Sequence, residues 1–177
     1  AAIDPSYKFG VEQTSGGATW NAAEDAAYTT RSYGNNLRLR FSIQNTASAV
    51  FSRLFRLQVA PKASALNCES VPYVNFNDVP THAGGCGSSV ACMASTTNYA
   101  NGDTTAGLLT YPASATFNAG SVVEEPSNQT ASSTVSASGA TEVEYNFQMT
   151  ANATDNTYCF RASNGGLDLD NYTHVAE

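Results

Sequence analysis

Apolar and polar residues alternate without a break over the opening segment. Ile3, Pro5, Tyr7, Phe9 and Val11 fall on one side, and Asp4, Ser6, Lys8, Gly10 and Glu12 on the other. A period of two marks a strand with one buried face. Pro5 has no N–H, so the ladder is expected to be open on one side there. The same alternation returns at 37–44, with Leu37, Leu39, Phe41 and Ile43 facing inward and Arg38, Arg40, Ser42 and Gln44 outward. It returns at 50–60, with Phe55, Leu57 and Val59 on the apolar side. These two strands are expected to form a hairpin or to neighbour each other in one sheet. Further on, Val143, Tyr145, Phe147 and Met149 alternate with Glu142, Glu144, Asn146 and Gln148, and Tyr158, Phe160 and Ala162 alternate with Cys159 and Arg161. A last strand is expected over 167–176.

Between these segments the signal is weaker. Residues 18–28 fit either a helical turn or two, or a loop around a buried Trp20. A strand is predicted at 71–79 with Val74 and Phe76 on one side, and short strands at 108–117 and 121–125. The stretch 81–104 reads as a Gly/Ser/Thr loop, and the Ser/Thr-rich 127–139 as a solvated strand or an O-glycosylated patch. Turns are expected at Thr14–Gly17, Asn45–Ser48, Ala151–Asn156 and Gly165-Gly166. Short strands separated by such turns predict an all-β fold, an Ig-like or jelly-roll-type antiparallel β-sandwich with an extended N-terminal strand. No repeat or linker divides residues 1–177, so one domain is expected.

Composition narrows the function. Only 13% of the 177 residues are charged, about half the usual share. Ser, Thr and Asn together supply 54 residues and lysine only two, Lys8 and Lys62. The surface is therefore wetted by hydroxyls and amides. A net charge of −7 argues against nucleic acid, which needs a basic footprint, and against docking on an anionic membrane. No apolar run is long enough for a membrane-spanning helix. The opening residues show no leader pattern, so any signal peptide is expected to have been removed.

Four cysteines allow three pairings. The economical one joins Cys86 to Cys92 as a local staple and Cys68 to Cys159 as a long-range clamp. Disulfides place the chain in an oxidising compartment, outside the cytoplasm or at the cell surface. A metal site is not expected: no CxxC pair exists, and His82 and His174 lack ligand spacing to any cysteine.

Catalysis finds little support. Glu142 and Glu144 share a strand face that reads as wetted, and Glu124-Glu125 precedes Pro126 in a turn. Asp168, Asp170 and Asn171 offer closely spaced oxygens but lack a calcium-loop pattern. His82 and His174 read as surface residues. No enzyme and no cofactor is expected. Three sequons, at Asn128, Asn152 and Asn171, are candidate glycosylation sites. Tyr28, Tyr33, Tyr99 and Tyr111 are candidates for stacking on a sugar, with partial core roles as the plainer account.

Several motifs then fall in a telling order: Tyr7-Lys8-Phe9; Gly17-Ala18-Thr19-Trp20 with Ala22-Ala23-Glu24; Leu37-Arg38-Leu39-Arg40-Phe41; Phe55-Arg56-Leu57-Gln58-Val59-Ala60; Cys68; Thr141-Glu142-Val143-Glu144-Tyr145; Tyr158-Cys159-Phe160-Arg161; and Leu167 through Tyr172 to Ala176. In this order the chain resembles an uncharacterised β-sandwich module of bacterial secreted and cell-surface proteins. The match runs discontinuously along most of the chain, and about 80–135 is generic. The resemblance implies a Cys68–Cys159 disulfide and an extracellular structural or adhesive role, with no catalytic residues to transfer. The leading expectation is a subunit of a pilus-like filament or surface sheath that assembles with copies of itself. Its donor strand, Ile3 to Val11, would add to a neighbour's sheet through Ile3, Pro5, Tyr7, Phe9 and Val11. The alternative is an adhesin or carbohydrate-binding module that takes surface glycans in a concave aromatic site.

Overall fold

The computed structural model describes residues 2–12, 18–29, 33–155 and 157–177, with backbone alone for 2–6, 11, 12, 18 and 19. The strands are β1 (Ala2–Glu12), β2 (Ala18–Thr19), β3 (Leu37–Asn45), β4 (Phe51–Arg53), β5 (Phe55–Pro61), β6 (Asn77–Asp78), β7 (Ala91–Met93), β8 (Phe117–Asn118), β9 (Val122–Val123), β10 (Ser133–Val135), β11 (Ala140–Met149), β12 (Tyr158–Asn164) and β13 (Asn171–Tyr172). Helical structure among the described residues is confined to 3-10 turns at Cys68–Ser70 and Tyr73–Asn75. The predicted turn at Thr14–Gly17 and the side chains of Ile3, Pro5 and Val11 lie outside the described residues.

The larger sheet runs β13-β1-β3-β11-β7, with β2 on β1 and β8 and β9 on β11; the smaller runs β12-β5-β6, and β4 pairs β10 in a separate ribbon. The alternating segments set the register. Phe9 lies opposite Leu39, which lies opposite Tyr145, so apolar residues meet across three strands on one face. The β1–β3 ladder shifts register between Ile3 and Ser6, where Pro5 removes a donor. The inner faces of the two sheets then meet in one core. Phe160 of β12 lies edge-on to Phe9 at 6.3 Å and 5.0 Å from Phe147. This is an all-β sandwich, as the alternation predicts.

Several local expectations are corrected. β3 and β5 are not neighbours; they lie in opposite sheets, because the chain leaves β4 at Leu54 and pairs onward with β12. Pairing is not wholly antiparallel: β13 runs parallel to β1, and β8 and β9 run parallel to β11. Residues 18–28 form β2 and a loop with no helix, and Trp20 is half-buried. Of 71–79 only Asn77–Asp78 is strand, and Val74 is exposed while Phe76 is buried. Ala91–Met93 is a strand inside the predicted loop. The Ser/Thr-rich stretch is no solvated strand throughout, since Thr130 and Ser133 are buried.

Each sheet is covered on its outer face as well. Loop stretches of the 94–125 excursion, at Tyr99 and at 106–109, lie over β3 and β11, and residues 68–76 lie over β12 and β5. Arg161, on the outer face of β12, sits 4.2 Å from the Phe76 ring and 5.0 Å from those of Tyr73 and Tyr172. The Cys68–Cys159 disulfide pins that cover to the strand beneath it.

The flanks are laced as well. On one side, Asn171 and Tyr172 pair with β1, while Ala176 exchanges both backbone hydrogen bonds with Phe160 of β12. On the other, Val79 N–H donates to Leu57 of β5, and Pro80 C=O accepts from Met93 of β7. One short segment on each flank thus bridges the two sheets, which protects the edges.

Candidate functional site

At one end of the sandwich the sheets part around a pocket of about 490 Å³, a size that suits a small ligand. Phe9 of β1, Leu37 of β3, Met149 of β11 and Tyr158 and Phe160 of β12 form its apolar lining. Leu37, Met149 and Tyr158 close strand ends, while Phe9 and Phe160, still packed on each other across the two sheets, form the floor. The mouth is built from Ala27, Tyr28, Thr29, Tyr33, Ala153, Asp155, Thr157 and Glu177.

Hydrogen bonds hold the mouth in place. Tyr28 stacks on Phe9 at 5.8 Å, and its N–H donates to Glu177 C=O at 2.9 Å. The Glu177 carboxylate accepts from Lys62 Nζ at 3.0 and 3.2 Å. Tyr33 is 57% exposed and its hydroxyl donates to Ala153 C=O, which fixes the ring at the rim. Asp155 N–H donates to the Tyr158 hydroxyl at 2.9 Å. Beneath the wall, burial pushes the Tyr7 phenol up to about 12, against a Glu177 backbone hydrogen bond that lowers it. Asp25, which accepts from Tyr7 N–H, is also raised, first by burial, with that hydrogen bond and His174 acting the other way. The arrangement offers aromatic faces, hydroxyls and two carboxylates, Asp155 and the Lys62-paired Glu177, around an apolar floor, which is binding chemistry.

Of the tyrosines proposed for stacking, Tyr28 and Tyr33 meet here. Tyr99 instead covers Arg38 at 4.2 Å, and Tyr111 stacks on Phe117 at 5.8 Å. Phe9, Leu37, Met149 and Phe160 read as core in the sequence. The place of Leu37 and Met149 at strand ends, near a Tyr-bearing loop, was the one signal that marked any of them out.

The supposed wetted face of β11 is buried. Arg38, Glu142 and Glu144 are fully enclosed. Arg38 and Arg40 each pair with Glu144, and Arg40 Nη1 reaches Glu142 at 3.1 Å and Ala106 C=O at 2.8 Å. Glu142 Oε1 accepts the Leu108 and Leu109 N–H groups at 2.7 Å each. The carboxylates therefore hold the cover onto the sheet, and Trp20 lies 5.5 Å over Arg40. Charged residues at alternate positions look solvated in a sequence because the cover comes from elsewhere in the chain, 33 and 34 residues away for the Leu109 and Leu108 N–H groups on Glu142.

The other proposed residues are dispersed. Asp168 pairs with Arg161 at 2.6 Å and Asp170 with Arg53 at 3.6 Å, so the two carboxylates serve different cations. Asn128 Nδ2 donates to Val79 C=O at 2.6 Å and Leu57 C=O at 3.1 Å, while its Oδ1 accepts Leu57 N–H. That amide extends the sheet beside β5, and a glycan on it would take the place of one of the two N–H donors. Asn152 and Asn171 are exposed. Both disulfides close as the economical pairing requires, Cys68–Cys159 and Cys86–Cys92, and no cysteine is free. Tyr7 and Phe9 of the supposed donor strand are 4% and 3% exposed in the chain's own core. His82 is exposed, yet its Nδ1 lies 3.4 Å from Cys86 Sγ, a proximity the sequence spacing did not suggest. No family model, curated protein or solved structure matches the chain, and the pocket's own chemistry is the guide to its use.

Proposed function

We propose that the chain is an extracellular binding module that takes a neutral carbohydrate in the pocket between its sheets. The observation that carries this reading is the rim itself, where the exposed Tyr33 and the half-buried Tyr28 stand beside hydroxyls and the Asp155 carboxylate. A pyranose has an apolar C–H face that stacks on an aromatic ring and an equatorial belt of hydroxyls that such polar groups can bind. A net charge of −7 favours neutral over anionic sugars. Two disulfides suit an oxidising compartment. The test is a glycan array followed by calorimetry on the full chain. Tyr33→Ala, a rim change that leaves the core intact, should weaken binding about tenfold, near 1.4 kcal/mol. A chain that binds no neutral glycan at millimolar concentration, or a Y33A chain that binds as well as the parent, would overturn the reading.

A second reading keeps the filament subunit. Its supporting observation is that β1 delivers two aromatic side chains, Tyr7 and Phe9, into the core. The same contacts made in a neighbouring copy would join subunits head to tail. With both flanks laced, assembly by this route requires exchange of β1, since strand addition needs an open edge. Deleting residues 1–12 should abolish fibres seen by electron microscopy, and a peptide of those residues should restore a folded monomer. Fibres formed by the truncated chain, or an intact chain that stays monomeric at high concentration, would refute it.

A further inference from the structure

The loop through 80–93 carries a second cluster, apart from the pocket. His82 Nδ1, Cys86 Sγ and Cys92 Sγ all lie within 4.8 Å of one another. In the disulfide form the two sulfurs are spent on each other. The loop, however, is held by bonds that do not involve them. Met93 N–H donates to Pro80 C=O across its base. Glu125 accepts the His82 and Ala83 N–H groups at 2.7 Å each. Thr150 Oγ1 donates to Ser89 C=O at 2.6 Å, and Asn152 Nδ2 donates to Gly87 and Ser89 C=O at 3.2 and 3.3 Å. Cutting the disulfide would therefore leave the three donors gathered. Exposure gives a reductant one way in: Cys86 is half-exposed beside the exposed His82, whereas Cys92, Cys68 and Cys159 are 1%, 1% and 0% exposed, so only the Cys86–Cys92 bond has a sulfur within reach of solvent.

We propose that Cys86–Cys92 is a reducible disulfide whose dithiol form, with His82, binds one Zn²⁺. A small thiol reductant supplies the electrons: two RSH reduce the S–S bond, giving RSSR and the Cys86 and Cys92 thiols. Zn²⁺ then displaces both thiol protons, forming two Zn–S bonds and one Zn–N bond to His82 Nδ1 while two H⁺ leave to solvent. Two thiolates and an imidazole are donors that this borderline-soft ion favours, and three protein ligands leave its fourth position to water. Because binding releases protons, affinity rises with pH.

The experiment uses the full chain. A thiol titrated at limiting concentration, followed by alkylation and peptide mapping, should open Cys86–Cys92 while Cys68–Cys159 stays closed. The reduced chain should bind one Zn²⁺ in competition with a chromophoric chelator, and Co²⁺ in its place should give a thiolate-to-metal charge-transfer band. The oxidised chain should bind neither. His82→Ala should weaken binding at least 10- to 100-fold, the range already seen for loss of an outer hydrogen-bonding partner of a metal ligand. Any one of three results overturns the proposal: a disulfide that opens only when the chain unfolds, a reduced chain without the charge-transfer band, or an H82A chain that binds as tightly as the parent, which would mean adventitious chelation by two thiols.

Discussion

Glu144 offers the sharpest test of the covered outer face. Its carboxylate is the shared counter-charge of Arg38 and Arg40, and Arg38 is wholly enclosed between β3, β11 and the Tyr99 ring. Glu144→Ala would strand a guanidinium where water cannot reach it. Removing one partner of a buried pair costs about 3–5 kcal/mol, a large share of the ~5–15 kcal/mol that holds a domain together. For a chain of this length that corresponds to a fall of roughly 6–20 °C in Tm. Replacing Glu144 together with the enclosed Arg38 by apolar residues, as in R38M/E144L, should recover most of the loss, because the stranded charge goes with its partner and Arg40 keeps Glu142. Urea unfolding of the parent, the single and the double variant, with linear extrapolation to water, measures all three. A loss below about 1 kcal/mol for E144A is what an exposed ion pair gives. That result would mean the 94–125 excursion does not seal the sheet, and the sequence reading of a wetted strand would stand.

Three further outcomes are expected. Opening Cys68–Cys159, which closes a separation of 91 residues, should cost about 4.6 kcal/mol in the chain-entropy model against about 2.2 for the six-residue Cys86–Cys92 loop, so equal losses in Tm for the two paired Cys→Ala variants would count against that account. The Tyr7 phenol is raised from its ordinary value of 10 to about 12, so its stabilising share is complete below pH 10 and disappears as pH climbs through 12; that share is about 2–3 kcal/mol, and Tyr7→Phe should flatten the alkaline melting curve by as much. Gly120 packs its backbone on the Glu142 carbonyl, which a Cβ would overlap; Gly120→Ala should therefore destabilise by roughly 1–3 kcal/mol in urea unfolding, and an unchanged midpoint would count against that packing.

The strands were legible where one face alternates cleanly. Leu37 to Ile43 and Val143 to Met149 name both the strands and their inner residues, and the core contains all of them. The pairing of Cys68 with Cys159 was legible for a related reason, since Cys159 stands in a strand interior. Sheet membership was not: β3 and β5 look like a hairpin because they are close in sequence, and only β12, some 100 residues later, decides which sheet β5 joins. The fate of the polar faces was equally hidden. Arg38, Glu142 and Glu144 carry the same pattern whether water or a distant loop covers them. The pocket escaped for a similar reason, because Phe9 and Phe160 are core residues by every local measure and line a pocket only because the two sheets part just beyond them.

The lacing of residues 171–177 across both sheets has a consequence in time. Ile3 waits for Asn171, Glu69 for Val175 and Tyr28 for Glu177, contacts that span more than a hundred residues. A chain emerging from the ribosome can assemble β1, β3 and β11 before these residues exist, but that flank stays unpaired, and the pocket lacks part of its rim, until residue 177 has been made. Non-local closure of this kind is slow and leaves strand edges exposed while it is pending. The vulnerable species is therefore a nascent chain that has passed β11 but not yet residues 171–177, and a chaperone guarding it would do most by shielding the outer edge of β1.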